Sequence, residues 1–214
     1  MTSTLRPPDL SRLLSLRAEH GLAAQAMAAT APRFQALKQR HENGTAPRAV
    51  SSFQLFQTPA PLAARMVELA GDRARLCVLE PSAGLGRILD ALGQPAELVA
   101  VEVAQQCADE LRRREGLRVV QRDFLTVEPA ELGQFDCIVM NPPFHMRADI
   151  RHILHALKFL LPGGVLVALC MDTQHREKAL RPLAATWDQI PAGAFRESNT
   201  EVPTVMLSIR AWHC

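Results

Sequence analysis

The apolar run Phe135-Asp136-Cys137-Ile138-Val139-Met140 stops at Asn141-Pro142-Pro143-Phe144. The run has the length and character of a buried strand. Two successive prolines cannot continue a hydrogen-bonded ladder, so the strand must end there. A strand of an open α/β sheet that ends in a polar amide, a rigid turn and an aromatic ring sets those groups at its carboxyl end, where such sheets bind ligands. The plainer alternative is a proline turn with Phe144 plugging the core, and four residues alone do not separate the two.

The rest of the chain repeats the same layout. Arg75-Leu76-Cys77-Val78-Leu79-Glu80 is a short strand closed by an acid, followed by Pro81-Ser82-Ala83-Gly84-Leu85-Gly86 and a helix over 87–92. Strand, glycine turn and helix open a nucleotide-binding α/β sheet. Gly84 and Gly86 allow a sharp turn and close approach of backbone to ligand. The turn is not the GxGxxG of dinucleotide enzymes. The missing third glycine and the closing acid argue against a pyrophosphate on the helix N-terminus.

A second strand, 98–103, carries Glu102 where an acid would grip a ribose diol. Helix 104–114 ends in Arg112-Arg113-Arg114, which reads as a solvated helix end. Strand 117–121 leads to Asp123-Phe124, an acceptor beside a flat apolar wall suited to a purine. After the Asn141 turn the pattern predicts a helix over 149–161 ended by Pro162-Gly163-Gly164, a strand over 165–170 and a helix over 174–186 kinked at Pro182. Two strand-like runs follow, around 194–197 and over 202–209, with a turn at 198–200 between them and Trp212 near the end. The whole predicts one mostly parallel sheet with an antiparallel edge.

Upstream, Phe56-Gln57-Thr58-Pro59 leads into an apolar-faced helix, with Thr58 as a suitable N-cap and Pro59 as its first residue. Residues 9–29 and 32–41 read as two further helices, and 45–53 as a linker. The chain is thus divided into a helical extension over 1–50 and an α/β domain over 51–214. Residues 1–49 hold seven Lys/Arg against three acids, whereas the remainder holds seventeen against nineteen. That basic excess hints at a polyanion partner. The five scattered cysteines form no CxxC pair and read as small buried hydrophobes of a reducing, cytoplasmic protein. His152 and His155 have no carboxylate or thiol cluster beside them, so they read as a surface face and no metal is expected. No apolar run is long enough for a bilayer.

In this order and at strand ends, the motifs resemble those of class I S-adenosylmethionine-dependent methyltransferases, and within them the N6-adenine DNA methyltransferases. Val78 to Gly86 looks like their cofactor glycine motif. Asn141-Pro142-Pro143-Phe144 is similar to their catalytic motif, Phe56-Gln57-Thr58-Pro59 to the stretch that meets the cofactor methionine, and Phe195 to Thr200 to the motif whose aromatic ring helps hold a flipped base. The resemblance covers roughly residues 53–210, and no target-recognition domain is expected after the hairpin.

The resemblance implies a Rossmann-like methyltransferase fold with a seven-stranded sheet. It implies S-adenosylmethionine as cofactor, bound by Phe56, Gln57, Thr58, Pro59, Glu80, Ser82, Ala83, Gly84, Gly86, Glu102, Val103, Asp123, Phe124 and Asn141. It implies catalysis by Asn141, Pro142, Pro143 and Phe144, with Phe144 and Phe195 as two walls around a base. The expected substrate is adenine N6 in DNA, read with low or no sequence specificity. RNA bases and protein glutamine share the planar nitrogen and stay open as alternatives, as does an inactive cofactor-binding module, which intact Asn141, Gly84 and Gly86 disfavour.

Overall fold

The structure, a computed structural model, describes residues 57–71, 76–191, 194–195 and 202–211. The expected helices before residue 50, the 45–53 linker, Phe56, the turn at 198–200 and Trp212 lie outside them. Seven strands form one sheet: β1 (Cys77–Pro81), β2 (Glu97–Val101), β3 (Leu117–Val120), β4 (Phe135–Met140), β5 (Leu160–Met171), β6 (Thr186–Ile190) and β7 (Thr204–Arg210). Their order is β3-β2-β1-β4-β5-β7-β6. The pairs from β3 through β5 are parallel, and β7 runs antiparallel to both neighbours. This is the mostly parallel, Rossmann-like sheet with an antiparallel C-terminal hairpin that the residue pattern predicts.

The strands build two cores because side chains alternate across a sheet. Cys137 and Val139 of β4, with Val165, Val167 and Leu169 of β5, face one core, whereas Ile138, Met140, Leu166, Ala168 and Cys170 face the other. The first core is roofed by helices α1 (Ala60–Ala70) and α2 (Arg87–Leu92) through Leu62, Met66, Ile88 and Leu89. Helix α3 (Gln105–Leu111) adds Leu111. Two more helices, α4 (Pro129–Leu132) and α5 (Ala148–Ala156), cover the other core with Leu132, Ile153 and Ala156. Helix α6 (Gln174–Leu180) contributes Leu180 there. Each fully buried Leu, Ile or Met stabilises the fold by about 1.5–3 kcal/mol relative to exposure.

Several local expectations change. Thr58 does not cap α1: Pro59 stands at the N-cap with no side-chain bond, and the Thr58 hydroxyl instead accepts from Asn141 Nδ2 at 3.1 Å. The helix after the Asn141 turn ends at Ala156, and β5 then runs through Pro162-Gly163-Gly164. A register shift between Phe135 and Cys137 accommodates those extra residues. Pro182 falls in a single 3-10 turn after α6, and the chain is already a strand by Thr186. Of the strand expected around 194–197, Ala194 and Phe195 form a turn, Arg196 and Glu197 lie outside the described residues, and β6 lies upstream. His152 and His155 are buried rather than on a surface face, because they share α5 with Ile153 and Ala156 and turn toward the sheet. Cys107, Cys137 and Cys170 are buried, and burial pushes the Cys170 thiol up to about 12.

Candidate active site

The sheet order reverses direction between β1 and β4, the place where open α/β sheets leave a crevice at their strand ends. A cavity of about 250 Å³ lies there, beyond the carboxyl ends of β1, β2 and β4.

Its floor is the turn after β1. Ser82 and Ala83 donate backbone hydrogen bonds to the Val101 carbonyl, at 2.9 and 3.2 Å, tying the turn to β2. The turn then needs positive φ at Gly84 (55°) and Gly86 (82°). A Cβ at Gly86 would come within 2.8 Å of the Arg114 guanidinium. That guanidinium donates to the Leu85 carbonyl at 2.9 Å and to Asp90 at 2.7 Å. Arg114 is thus a brace for the glycine turn, not only a solvated helix end.

Two carboxylates face this turn from neighbouring strand ends. Glu102 is buried and accepts from the backbone N–H of Gly84 and of Ala104, each at 2.7 Å. Glu80 is 2% exposed. Among the described residues its Oε2 is the one buried side-chain oxygen or nitrogen without a hydrogen-bond partner. Burial holds its carboxyl well above the usual carboxylate range, against the pull of Arg114 and with a push from Glu102.

The next wall comes from the end of β3. Asp123 is exposed and caps a 3-10 turn through Leu125 N at 3.0 Å. Phe124 lines the cavity but is only 2% exposed. Its ring packs among His155 (centroids 4.9 Å), Phe159 (5.2 Å) and His152 (5.9 Å). It is an anchored wall, with most of its surface already used. His152 stands beside it, with Nδ1 3.4 Å from Ser82 Oγ. Burial lowers its pKa to about 4, with Asp123 opposing, so the imidazole is neutral at ordinary pH.

The far wall is the turn after β4. Asn141, Pro142, Pro143 and Phe144 all line the cavity. Because the Asn141 Nδ2 donates to Thr58, the amide oxygen is turned the other way. Phe144 is half-buried against the first core, and its carbonyl accepts from Arg176 Nη2 at 3.1 Å.

Of the residues that the motifs single out, Gln57, Thr58, Glu80, Ser82, Ala83, Gly84, Glu102, Val103, Asp123 and Phe124 line this cavity together with the Asn141 turn. Pro59 and Gly86 frame it without lining it. Phe195 is not among the lining residues: its ring is buried in the first core, at 5% exposure. Residue patterns passed over Leu85, Arg87, Ile88, Val101, Ala104, Arg122 and His152, which also line it. Helical spacing of His152 with Ile153 and Ala156 is the signal that would have turned it inward. Among the described residues no cysteine lines the cavity and no cluster that could hold a metal occurs.

Residues 92–193 match the methyltransferase small domain family. No curated protein matches the chain. Similar solved structures include a proposed RNA methyltransferase from Pyrococcus horikoshii, 17% identical over 77% of this chain and 91% of that one, with a TM-score of 0.62. Another is a modification subunit of a proposed type I restriction enzyme from Vibrio vulnificus, 15% identical, with a TM-score of 0.59. That match takes in 87% of this chain and 49% of the subunit, so the chain spans about half its length. A third is an RNA methyltransferase from Salinibacter ruber, solved with S-adenosyl-L-homocysteine, 17% identical over 73% of this chain and 94% of that one (TM-score 0.53). The family model matches just under half of the chain, and the solved structures share its fold.

Proposed function

We propose that this chain methylates an exocyclic amino nitrogen of a nucleic-acid base, with adenine N6 in DNA as the first candidate. The observation that carries the reading is the convergence of the glycine turn and of Asn141-Pro142-Pro143-Phe144 on one cavity. The residues fit the cofactor. Glu80 Oε2 is a buried acceptor lacking a partner, suited to a cationic or hydroxyl group. Gly84 lines the cavity with its backbone at a φ of 55°, where the chain can approach a ligand closely. Glu80, Glu102 and the glycine turn would hold the cofactor, with Asp123 and Phe124 toward its purine. S-adenosylmethionine supplies an electrophilic methyl group when bound.

The chain's own task is to prepare a weak nucleophile. The lone pair of an exocyclic amino group is delocalised into the ring. The Asn141 side-chain oxygen and the Pro142 carbonyl would accept its two hydrogens and favour a localised lone pair. Those bonds strengthen as the nitrogen becomes positive, which is selective stabilisation of the transition state. The proline pair would fix the acceptors beforehand, and the bond from Asn141 Nδ2 to Thr58 is consistent with the amide oxygen serving as an acceptor. Phe144 would stack on the extruded base. No covalent intermediate is required: the nitrogen takes the methyl group as the sulfur leaves as the thioether S-adenosylhomocysteine, and the resulting cationic nitrogen loses one proton to solvent.

A base of RNA is the second reading, favoured by the neighbours described as RNA methyltransferases. Labelled methyl transfer to duplex DNA, single-stranded DNA, RNA and protein, followed by identification of the modified nucleoside, tests both. N6-methyladenosine in RNA or N6-methyldeoxyadenosine in DNA selects between them, and label in protein alone overturns the nucleic-acid reading.

A further inference from the structure

The Asn141 turn runs on into His145, Met146 and Arg147, all three exposed. Met146 (φ 47°) and Arg147 (φ 59°) are successive non-glycine residues in the left-handed region, which L side chains enter only at a steric cost. Both ends of this strap are pinned from behind. Arg176 donates through Nη2 to the Phe144 carbonyl (3.1 Å) and through Nε to the Asp149 carboxylate (3.0 Å). The pinned backbone leaves the Met146 side chain out in solvent, 78% exposed.

From Arg147 the outer side of α5 continues the feature. Arg151 and Leu154 follow at four and seven residues on the outer side of α5, Lys158 follows at eleven in the 3-10 turn after it, and all are exposed. The single acid between 145 and 158 is Asp149, which is fully buried against Arg176. Among the described residues Arg147, Arg151 and Lys158 have no acidic partner. Arg65, Arg112, Arg113, Arg114, Arg118 and Arg122 are each paired with a carboxylate, while Arg87, Lys178, Arg181 and Arg210 also lack an acidic partner among the described residues but lie apart from this stripe. At roughly 1.5 Å per residue the stripe is on the order of 16 Å long, enough to meet several phosphates of one strand. It begins two residues after Phe144, which lines the cavity.

We propose that this stripe, from Met146 to Lys158, is the track on which a nucleic-acid substrate lies while its target base occupies the cavity. Arg147, Arg151 and Lys158 meet phosphates, and Met146 packs against the base next to the target. The proposal rests on the reading of the substrate as nucleic acid. Charge decides for a polynucleotide over a lipid surface: the stripe carries three unpaired cations and only two apolar side chains, too few for an apolar helix face.

The test uses the full chain, the triple variant Arg147→Ala/Arg151→Ala/Lys158→Ala, and Met146→Ala. All four side chains are exposed, so the fold is expected to stand. Binding of labelled duplex DNA, single-stranded DNA and RNA of one sequence is measured across salt concentrations, beside calorimetric binding of S-adenosylhomocysteine. The triple variant should bind the preferred nucleic acid at least about tenfold more weakly and lose about two units of the log–log salt slope. Met146→Ala should weaken binding by a smaller factor with the slope unchanged. Neither should alter S-adenosylhomocysteine binding. If the unaltered chain binds nucleic acid and the triple variant matches it in affinity and slope, the track is wrong and the reading of the substrate stands. If the unaltered chain binds S-adenosylhomocysteine but no nucleic acid, or methylates protein alone, both fall.

Discussion

The two sides of the cavity handle charge in opposite ways. At the ends of β1 and β2, two carboxyl groups are drawn into the site: Glu102 is held by two backbone amides, and Glu80 has an oxygen left over. At the ends of β4 and β5 the charge is kept behind the site. Arg176 and Asp149 form a buried pair that lines no part of the cavity, and the wall in front of it offers the amide of Asn141 and the carbonyls of the proline turn. The first side suits a ligand with a positive charge and hydroxyls. The second suits a neutral amino group, which needs acceptors and not a charged base. Two strand-end pairs of one sheet thus offer two different chemistries, one matching the proposed holding of a cofactor and the other the proposed preparation of a nucleophile.

The largest effect is expected from breaking the buried pair. Arg176→Met leaves the Asp149 carboxylate uncompensated, at a cost of about 3–5 kcal/mol, whereas Arg176→Met/Asp149→Leu should recover much of that stability. Denaturant melts of the three proteins check this. If the double variant is no more stable than the single, the pair does more than neutralise itself. Asn141→Ala comes next. Turnover should fall on the order of 10²–10³-fold, as for removal of one transition-state hydrogen bond, while S-adenosylhomocysteine affinity by calorimetry changes little. Loss of affinity in step with turnover would erase the division between the two sides.

Glu102→Gln acts on the other side. One of the two backbone N–H groups would then face an NH₂, at a cost of about 1–3 kcal/mol. The glycine turn should loosen and cofactor affinity should drop, with the rate at saturating cofactor nearly kept. A rate loss without an affinity loss would place Glu102 with the reacting groups instead.

The same contrast explains what could be read without coordinates. The β1 turn and the end of β4 are punctuated locally, by glycines with positive φ and by two prolines, and both landed at strand ends around one cavity. What was missed depends on partners distant in the chain. Thr58 looks like a helix cap because its neighbours are helical, but its hydroxyl is engaged by Asn141, 83 residues away. β6 carries Asp188 and Gln189 and is half-exposed at the sheet edge, so it lacks the apolar run that marks a buried strand. Phe195 matches an aromatic motif, yet the first core claims its ring. Nothing in an aromatic side chain itself distinguishes a core plug from a stacking wall.

Glu80 gives the smallest expected effect and the one that separates cofactor from fold. In the unfolded chain its carboxyl ionises near 4.5, while burial keeps it protonated to a much higher pH in the folded protein. Above pH 4.5 the unfolded state releases a proton that the folded state keeps, so stability falls as pH rises toward the folded value, and below 4.5 this penalty is absent. Glu80→Gln imitates the protonated form. It should melt with the unaltered chain near pH 4 and above it at neutral pH, by about 2–4 °C for each kcal/mol of penalty removed. With S-adenosylmethionine present the order should reverse, because the carboxylate, once it has a cationic partner, repays its burial and the amide cannot. Melting curves from about pH 4 to pH 8 with and without cofactor decide it. If the two proteins keep a constant difference across pH, the carboxyl is not a waiting partner. If the reversal fails while the pH dependence holds, the cofactor's charged group lies elsewhere, and the comparison shifts to Glu102.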